Sequence, residues 1–356
     1  MSVVLLLLAC NRDLLITGNP DPEAPVEAQE EDDTDGGVVP VELPELEEGP
    51  SGVAADGGPE EEWFEFGDEL QWPESFAWDP VTAAFYVGSL WYGHVRKLPA
   101  SGEESVFYED PLSVAEPWPW QTWGVEADPD RRRLFVCASW IAAGPVTWFV
   151  WVLDLDTGER LAQIDMSTSR EGAQCRDFVV GADGRAFVTD RDNPLLHVVD
   201  PVAGTAEVLL DSPLLRANWG PDGIAMTPEG TGLVVNLARS PGFVYVPILN
   251  PEAARAVEIS GDAYQMGGGQ GIDGMVFYDG ALYVAAVNRL LRVRPTDATW
   301  TTADMRSYEA PIYGMSSVTL AGDRLFALNG DPNAWTLEIR PDLPFEIYRV
   351  DATAFP

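Results

Sequence analysis

The chain has 356 residues, with 58 acidic against 21 basic side chains and a net charge of -37. That excess repels nucleic-acid phosphates and anionic lipid headgroups, so neither is expected as a partner. With 46% hydrophobic residues and 13 Trp, the chain carries ample apolar surface for a large core, which excludes disorder throughout.

The apolar run from Val3 to Ala9 is far shorter than the roughly 20 residues a helix needs to cross a bilayer. It ends in Leu7-Leu8-Ala9-Cys10, which resembles the lipobox of bacterial lipoproteins. The resemblance implies that residues 1–10 are a signal and that Cys10 becomes the lipidated first residue of the mature chain. The protein is then exported and anchored at the bacterial cell envelope, at the outer membrane or periplasmic face, meeting the membrane only through its lipid. No Lys or Arg precedes the run, and the other reading is an incidental Cys in a frayed terminus. Residues 11–62 are rich in Asp, Glu, Pro and Gly, with runs such as Glu30-Glu31-Asp32-Asp33. Such composition cannot offset its ordering entropy and predicts a disordered, self-repelling acidic linker.

From Trp63 onward short alternating apolar runs are punctuated by Gly, Asp and Pro, the pattern of strands and turns. A unit recurs six times. Its first runs are Phe76–Pro80, Gly124–Pro129, Phe178–Gly184, Gly223–Gly230, Gly274–Gly280 and Ser317–Asp323, each followed by further apolar runs, in the last copy through Trp335–Ile339. The period of about 43 to 54 residues suits three to four strands per repeat, and no segment keeps a helical period. The prediction is an all-β domain over 63–356, a six-bladed β-propeller whose blades bury their faces only by stacking into a ring. The end segments Glu62–Phe66 and Phe345–Val350 are expected to share the closing blade and so remove its edges.

The residue just before each innermost strand should stand at one mouth of the central channel. Counting along the repeats gives Glu74, Trp123, Asp177, Asp222, Asp273 and Ser316. Four converging carboxylates raise one another's pKa, and a bound cation relieves them. Oxygen ligands without sulfur or imidazole favour Ca²⁺, or another divalent metal of similar hardness. The competing reading is that these acids only cap turns, as Asp183, Asp279 and Glu229 are expected to do at the opposite mouth. Trp91, Trp118, Trp120, Trp123 and Trp219 cluster in segments near the first mouth. They form either an aromatic platform for a small-molecule or protein ligand or ordinary packing between blades. His94 and His197 fall at equivalent third-strand positions away from the channel. In an exported chain Cys137 and Cys175 form either a disulfide or two buried thiols. The protein is expected to be a monomer.

The segments Pro73-Glu74-Ser75-Phe76, Pro221-Asp222-Gly223-Ile224 and Ile272-Asp273-Gly274-Met275, at this spacing, resemble the gluconolactonase/regucalcin family of six-bladed propellers. The resemblance implies that Glu74, Asp222 and Asp273 hold a divalent metal, with Asp in place of the family's Asn at 222. It also implies that Asp273 serves as general base. The family's Asn-Asp-Gly motif for substrate and metal appears here as Arg176-Asp177-Phe178 and has lost its Asn and Gly. Two functions follow. One is an envelope propeller that binds a ligand or partner at an acidic, Trp-rich mouth holding Arg176, Trp120, Trp123 and Trp219, together with a divalent metal. The other is a Ca²⁺-dependent lactonase or esterase-like hydrolase.

Overall fold

The computed structural model describes residues 54, 56–68, 71–113, 119–142, 144–216, 220–238, 240–262, 271–309, 314–332, 341 and 343–354. Cys10, the linker up to residue 53, Trp118, Trp219 and the run 335–339 lie outside these residues. The described residues of Glu48–Pro356 form one body of short antiparallel strands.

The strands fall into six four-stranded units. The first holds β2 (Phe76–Asp79), β3 (Ala84–Val87), β4 (Val95–Pro99) and β5 (Ser105–Tyr108), and the second β6 (Trp120–Asp128), β7 (Arg133–Trp140), β8 (Thr147–Asp154) and β9 (Arg160–Asp165). The third holds β10 (Phe178–Val180), β11 (Ala186–Asp190), β12 (Leu195–Asp200) and β13 (Thr205–Asp211). The fourth holds β14 (Pro221–Met226), β15 (Gly232–Leu237), β16 (Ser240–Pro247) and β17 (Arg255–Gly261). The fifth holds β18 (Ile272–Tyr278), β19 (Ala281–Ala286), β20 (Arg289–Pro295) and β21 (Thr302–Glu309). The sixth is built from both ends of the domain: β22 (Met315–Ala321), β23 (Arg324–Asn329) and β24 (Phe345–Val350), with β1 (Trp63–Phe66) as its outer strand.

The expected closure is therefore present. Trp63 pairs with Tyr348 and Phe66 with Phe345 in an antiparallel ladder. The third strand of this unit is Phe345–Val350, since β24 pairs with β23; the run 335–339, expected in that place, lies outside the described residues. The fourth and fifth units are also joined at their outer edges, where β17 runs parallel to β21 from the pair Glu258 and Thr302 to the pair Gly261 and Met305. The packed chain begins ahead of Trp63. Asp56 accepts from Arg324 Nε at 2.5 Å, Pro59 O from Arg324 Nη1 at 2.8 Å, and Gly57 O from Trp78 Nε1 at 3.1 Å.

The second strand of each unit explains why its sequence is apolar almost without interruption. Side chains alternate between the two faces of a strand, and each face meets a different neighbouring unit. Phe85 and Val87 pack with Phe326 and Leu328 of the sixth unit, whereas Ala84 and Tyr86 pack with Leu134 and Val136 of the second. The described core divides in the same way into six clusters, each shared by two neighbouring units around the ring. First strands meet in cyclic order too, β2 with β6, β6 with β10, β10 with β14, β14 with β18, β18 with β22, and β22 again with β2. This closed cycle defines a β-propeller with an axial channel lined by first strands.

Candidate functional site

Pairing with the second strand fixes the register of all six first strands. Phe76 faces Val87, Val125 faces Val136, Phe178 faces Val188, Ile224 faces Val235, Met275 faces Val284, and Val318 faces Ala327. Two residues upstream of these stand Glu74, Trp123, Arg176, Asp222, Asp273 and Ser316. The register thus corrects the set counted along the sequence at one position: the third unit contributes Arg176, and Asp177 shares its place with Ser75, Gly124, Gly223, Gly274 and Ser317. In the second, fourth, fifth and sixth units the ladder is irregular across this position, and such bulges re-aim side chains. The third unit's first strand is only 3 residues long and its ladder starts at Phe178, beyond this position, where Thr189 bonds both Arg176 and Asp177, so counting from its Asp slips by one. Small residues follow the ring position because neighbouring strands approach closely there. A Cβ on Gly223 would lie 2.3 Å from the carbonyl oxygen of Asp273.

Arg176 lies across the ring. Its Nη2 donates to Glu74 Oε1 of the first unit at 2.7 Å, and its Nε donates to Asp222 Oδ1 of the fourth unit at 3.4 Å. The guanidinium carbon stands 4.2 Å from the ring centroid of Trp123, a cation–π stack. Arg191 Nη1 approaches Asp222 Oδ2 at 3.7 Å. Arg176 Nη1 is buried and has no hydrogen-bond partner among the described residues, and the same holds for the hydroxyl of Ser316 at the sixth ring position. The Arg176 backbone is held on both sides. Its N–H donates to Thr189 O at 3.0 Å, its carbonyl accepts from Gly124 N at 3.1 Å, and the preceding Cys175 forms a disulfide with Cys137. Of the two readings of these cysteines, the cystine is the one present.

Burial pushes two of the ring carboxyls, Glu74 and Asp273, upward. Glu74 is raised by desolvation and by Asp222 although Arg176 pulls the other way, and Asp273 is raised well above the carboxylate range by burial, Asp222 and Glu74. Asp177 is raised to about 7 by burial, against the backbone N–H groups of Phe178 and Ile224 that bond it. Burial also opposes charge on Arg176, but Glu74, Asp222 and Asp273 outweigh it and raise its pKa.

Next to the ring, first strands of all six units line a channel cavity of about 340 Å³. Apolar side chains of Phe76, Trp78, Met226 and Phe277 share its wall with the polar ones of Ser75, Ser317 and Thr319 and with the carboxyls of Asp177 and Glu126. Glu126 is raised to about 8, first by burial and then by Asp177 and Asp128. Sequence reading missed Glu126, although the signal was present: it stands where the other units carry Ala77, Val179, Ala225, Val276 and Thr319. Arg191 gave no comparable signal.

Other expected residues resolve as follows. Trp123 is at the ring, beneath Arg176, with its Nε1 donating to Ser139 Oγ at 3.1 Å and Trp148 at 5.5 Å. Trp120 is a core residue, buried against Trp140, Phe149 and Trp151, and contributes no platform. His94 and His197 are buried structural groups. His94 bonds Gln71 at 3.0 Å and is lowered to about 4 by burial and Arg96, and His197 bonds Asp190 at 3.2 Å and Ser169 at 3.0 Å. Asp183 accepts from the N–H of Arg185 at 3.1 Å in its hairpin turn, as expected of a capping residue.

The acids assigned to a divalent ion do not fit one in this arrangement. An ion bridging Glu74 and Asp222 would compete for carboxylates that Arg176 already bonds and would meet its positive charge. Among the described residues no group of three or more His, Cys, Asp or Glu is placed to hold a metal.

The chain matches no family model and no curated protein sequence. Among solved structures it is similar to the allergen Mala s 1 of Malassezia sympodialis, at 16% identity and a TM-score of 0.63, covering 82% of this chain and 96% of that one. It is similar also to a gluconolactonase of Xanthomonas campestris, at 15% identity and a TM-score of 0.55, covering 83% and 89%. A third is regucalcin of Agrobacterium tumefaciens, described as a calcium-binding protein, at 18% identity and a TM-score of 0.53, covering 80% and 92%. These likenesses show the fold: an all-β propeller of the architecture shared with gluconolactonase and regucalcin.

Proposed function

We propose that this chain is a ligand-binding propeller of the cell envelope, tethered through Cys10, that receives a small neutral polar molecule at the mouth closed by Arg176. The carrying observation is the buried Nη1 of Arg176, without a partner among the described residues while Nη2 and Nε are engaged by Glu74 and Asp222. A buried donor left without an acceptor costs free energy that a ligand oxygen recovers. The opposed charges of the ring disfavour a strongly charged ligand and favour hydroxyl or carbonyl oxygens, with the carboxyls accepting from ligand hydroxyls. Ser316, with an unpartnered hydroxyl at the same level, supports the reading.

The groups at the mouth favour binding over a metal-assisted step. Asp273 is biased toward its protonated form, and Arg176 occupies the carboxylates that a Lewis-acid ion would need. The test is saturation-transfer NMR on the full chain with a panel of neutral aldoses, polyols and aldonolactones, in wild type and Arg176→Lys. Binding is expected in wild type and weakened at least several-fold in the variant. The absence of transfer to every compound overturns the ligand reading. Lactone turnover abolished by Asp273→Asn would put the hydrolase in its place. The envelope tether is tested separately by palmitate labelling, which Cys10→Ser should abolish.

A further inference from the structure

We infer that Arg176 is the built-in cation of the ring, doing permanently what a divalent ion would do for Glu74, Asp222 and Asp273. The register puts Arg176 in the same ring as these acids, on the third unit, which among the units carrying them adjoins only the fourth. Its side chain nevertheless reaches Glu74 on the first unit. A guanidinium that bonds a non-adjacent unit on one side and an adjacent one on the other occupies the space where the carboxylates converge.

Chemistry supports the substitution. A guanidinium offers five N–H donors in a plane and stays charged at any physiological pH. It thus compensates several carboxylates without depending on the supply of an ion. The structure prepares it for that role: the Cys137–Cys175 disulfide, the N–H of Gly124, the carbonyl of Thr189 and the face of Trp123 fix its backbone and side chain. Arg191 adds a second positive charge beside Asp222. Removing Arg176 leaves buried carboxylates in a ring with only oxygen ligands, the donor set that Ca²⁺ prefers. Around Arg176 no three of the described acids are placed to hold a metal, so a cation can enter only where removal of the guanidinium lets them draw together. This inference uses the same residues as the ligand reading but does not rest on it, since the cation test reads metal and not ligand.

The experiment is a Ca²⁺ titration of the full chain, followed by thermal unfolding and by calorimetry, in wild type, Arg176→Ala, Arg176→Gln and Arg176→Lys. The acidic linker is common to all four, so its own weak ion binding cancels in the comparison. Wild type and Arg176→Lys are expected to keep the same Tm in chelator and in millimolar Ca²⁺, whereas Arg176→Ala and Arg176→Gln gain a Ca²⁺-dependent rise of several degrees. Adding Asp273→Asn to either neutral variant should remove the gain. A wild-type protein that loses stability in chelator overturns the inference, whether or not any variant folds. So does a neutral variant that folds and gains no response to Ca²⁺.

Discussion

Arg176 donates to Glu74 at 2.7 Å although 102 residues separate them along the chain. Arg176 is buried and Glu74 largely so, so the pair is fixed by the closed ring and in turn ties the third unit to the first. Breaking a buried ion pair leaves an uncompensated charge, and Arg176→Ala should cost about 3–5 kcal/mol in urea unfolding without added metal. Converting the whole cluster to neutral groups, as Arg176→Met with Glu74→Gln and Asp222→Asn, should return most of that loss. A triple variant no more stable than the single one would mean that packing, and not charge, holds the mouth together.

The channel carboxyls give stability a pH dependence of known sign. Glu126 is raised to about 8 and Asp177 to about 7, both chiefly by burial. Their unfolded counterparts titrate near the ordinary carboxylate values of about 4. Between these limits the folded protein holds protons that the unfolded chain has released, so this contribution is fully present below about pH 4 and is lost as pH rises toward 8. Unfolding free energy should thus be greater at about pH 5.5 than at about pH 8.5, by about 5 kcal/mol. Glu126→Gln should flatten the profile and be the more stable protein at the alkaline end. A wild-type profile that is flat or rises over this range would show both carboxyls to be well solvated.

Much of the fold was legible because its signals are local and repeated. Period-two apolar runs with Asp-Gly and Asp-Pro turns marked the units, and the similarity of Glu62–Phe66 and Phe345–Val350 to the strands marked the closure. The ring residues were legible wherever a Gly or Ser follows them, as after Asp222, Asp273 and Glu74. The third unit breaks that rule, since Arg176 is followed by Asp177 and Phe178, and the wrong acid was counted. The role of Arg176 could not be read from the chain at all. Which carboxylates a long side chain meets depends on ring closure and on how far it extends across the axis, and neither leaves a mark in local sequence. Trp120 was misplaced for a related reason, because an aromatic at a strand start looks the same whether it faces the mouth or the adjoining unit.

The disulfide joins the second strand of the second unit to the segment that opens the third, with a sequence separation of 38. Loop-closure entropy for that separation predicts a stabilisation of about 4 kcal/mol, acting through the unfolded state. Cys137→Ala with Cys175→Ala should lower stability by that order, and reduction of the wild-type protein should reproduce the effect. Because Cys175 adjoins Arg176, the same double variant should also weaken ligand binding at the mouth. Unchanged binding in a destabilised double variant would show that Gly124 and Thr189 alone suffice to hold Arg176.

A second ion pair, away from the ring and with only its acid fully buried, separates stability from function. Arg132 Nη1 and Nη2 donate to Asp79 Oδ1 and Oδ2 at 2.7 and 2.9 Å, a two-pronged contact between the turn regions of the first and second units. Asp79 is fully buried and also accepts from the hydroxyl and N–H of Thr82 at 2.7 and 3.1 Å. Burial alone would raise its pKa, but Arg132 and Thr82 outweigh it and hold the carboxyl below its ordinary value. Its stabilising contribution is therefore present above the ordinary carboxylate pKa and is lost as pH falls through the lowered one, the opposite sense to Glu126. Arg132→Ala should cost about 3–5 kcal/mol at neutral pH, because Asp79 remains buried without its partner. It should leave both the ligand affinity of the mouth and its indifference to Ca²⁺ unchanged. If Arg132→Ala alters either property as strongly as Arg176→Lys does, the mouth is reporting the general integrity of the ring, and the specific part assigned to Arg176 has to be withdrawn.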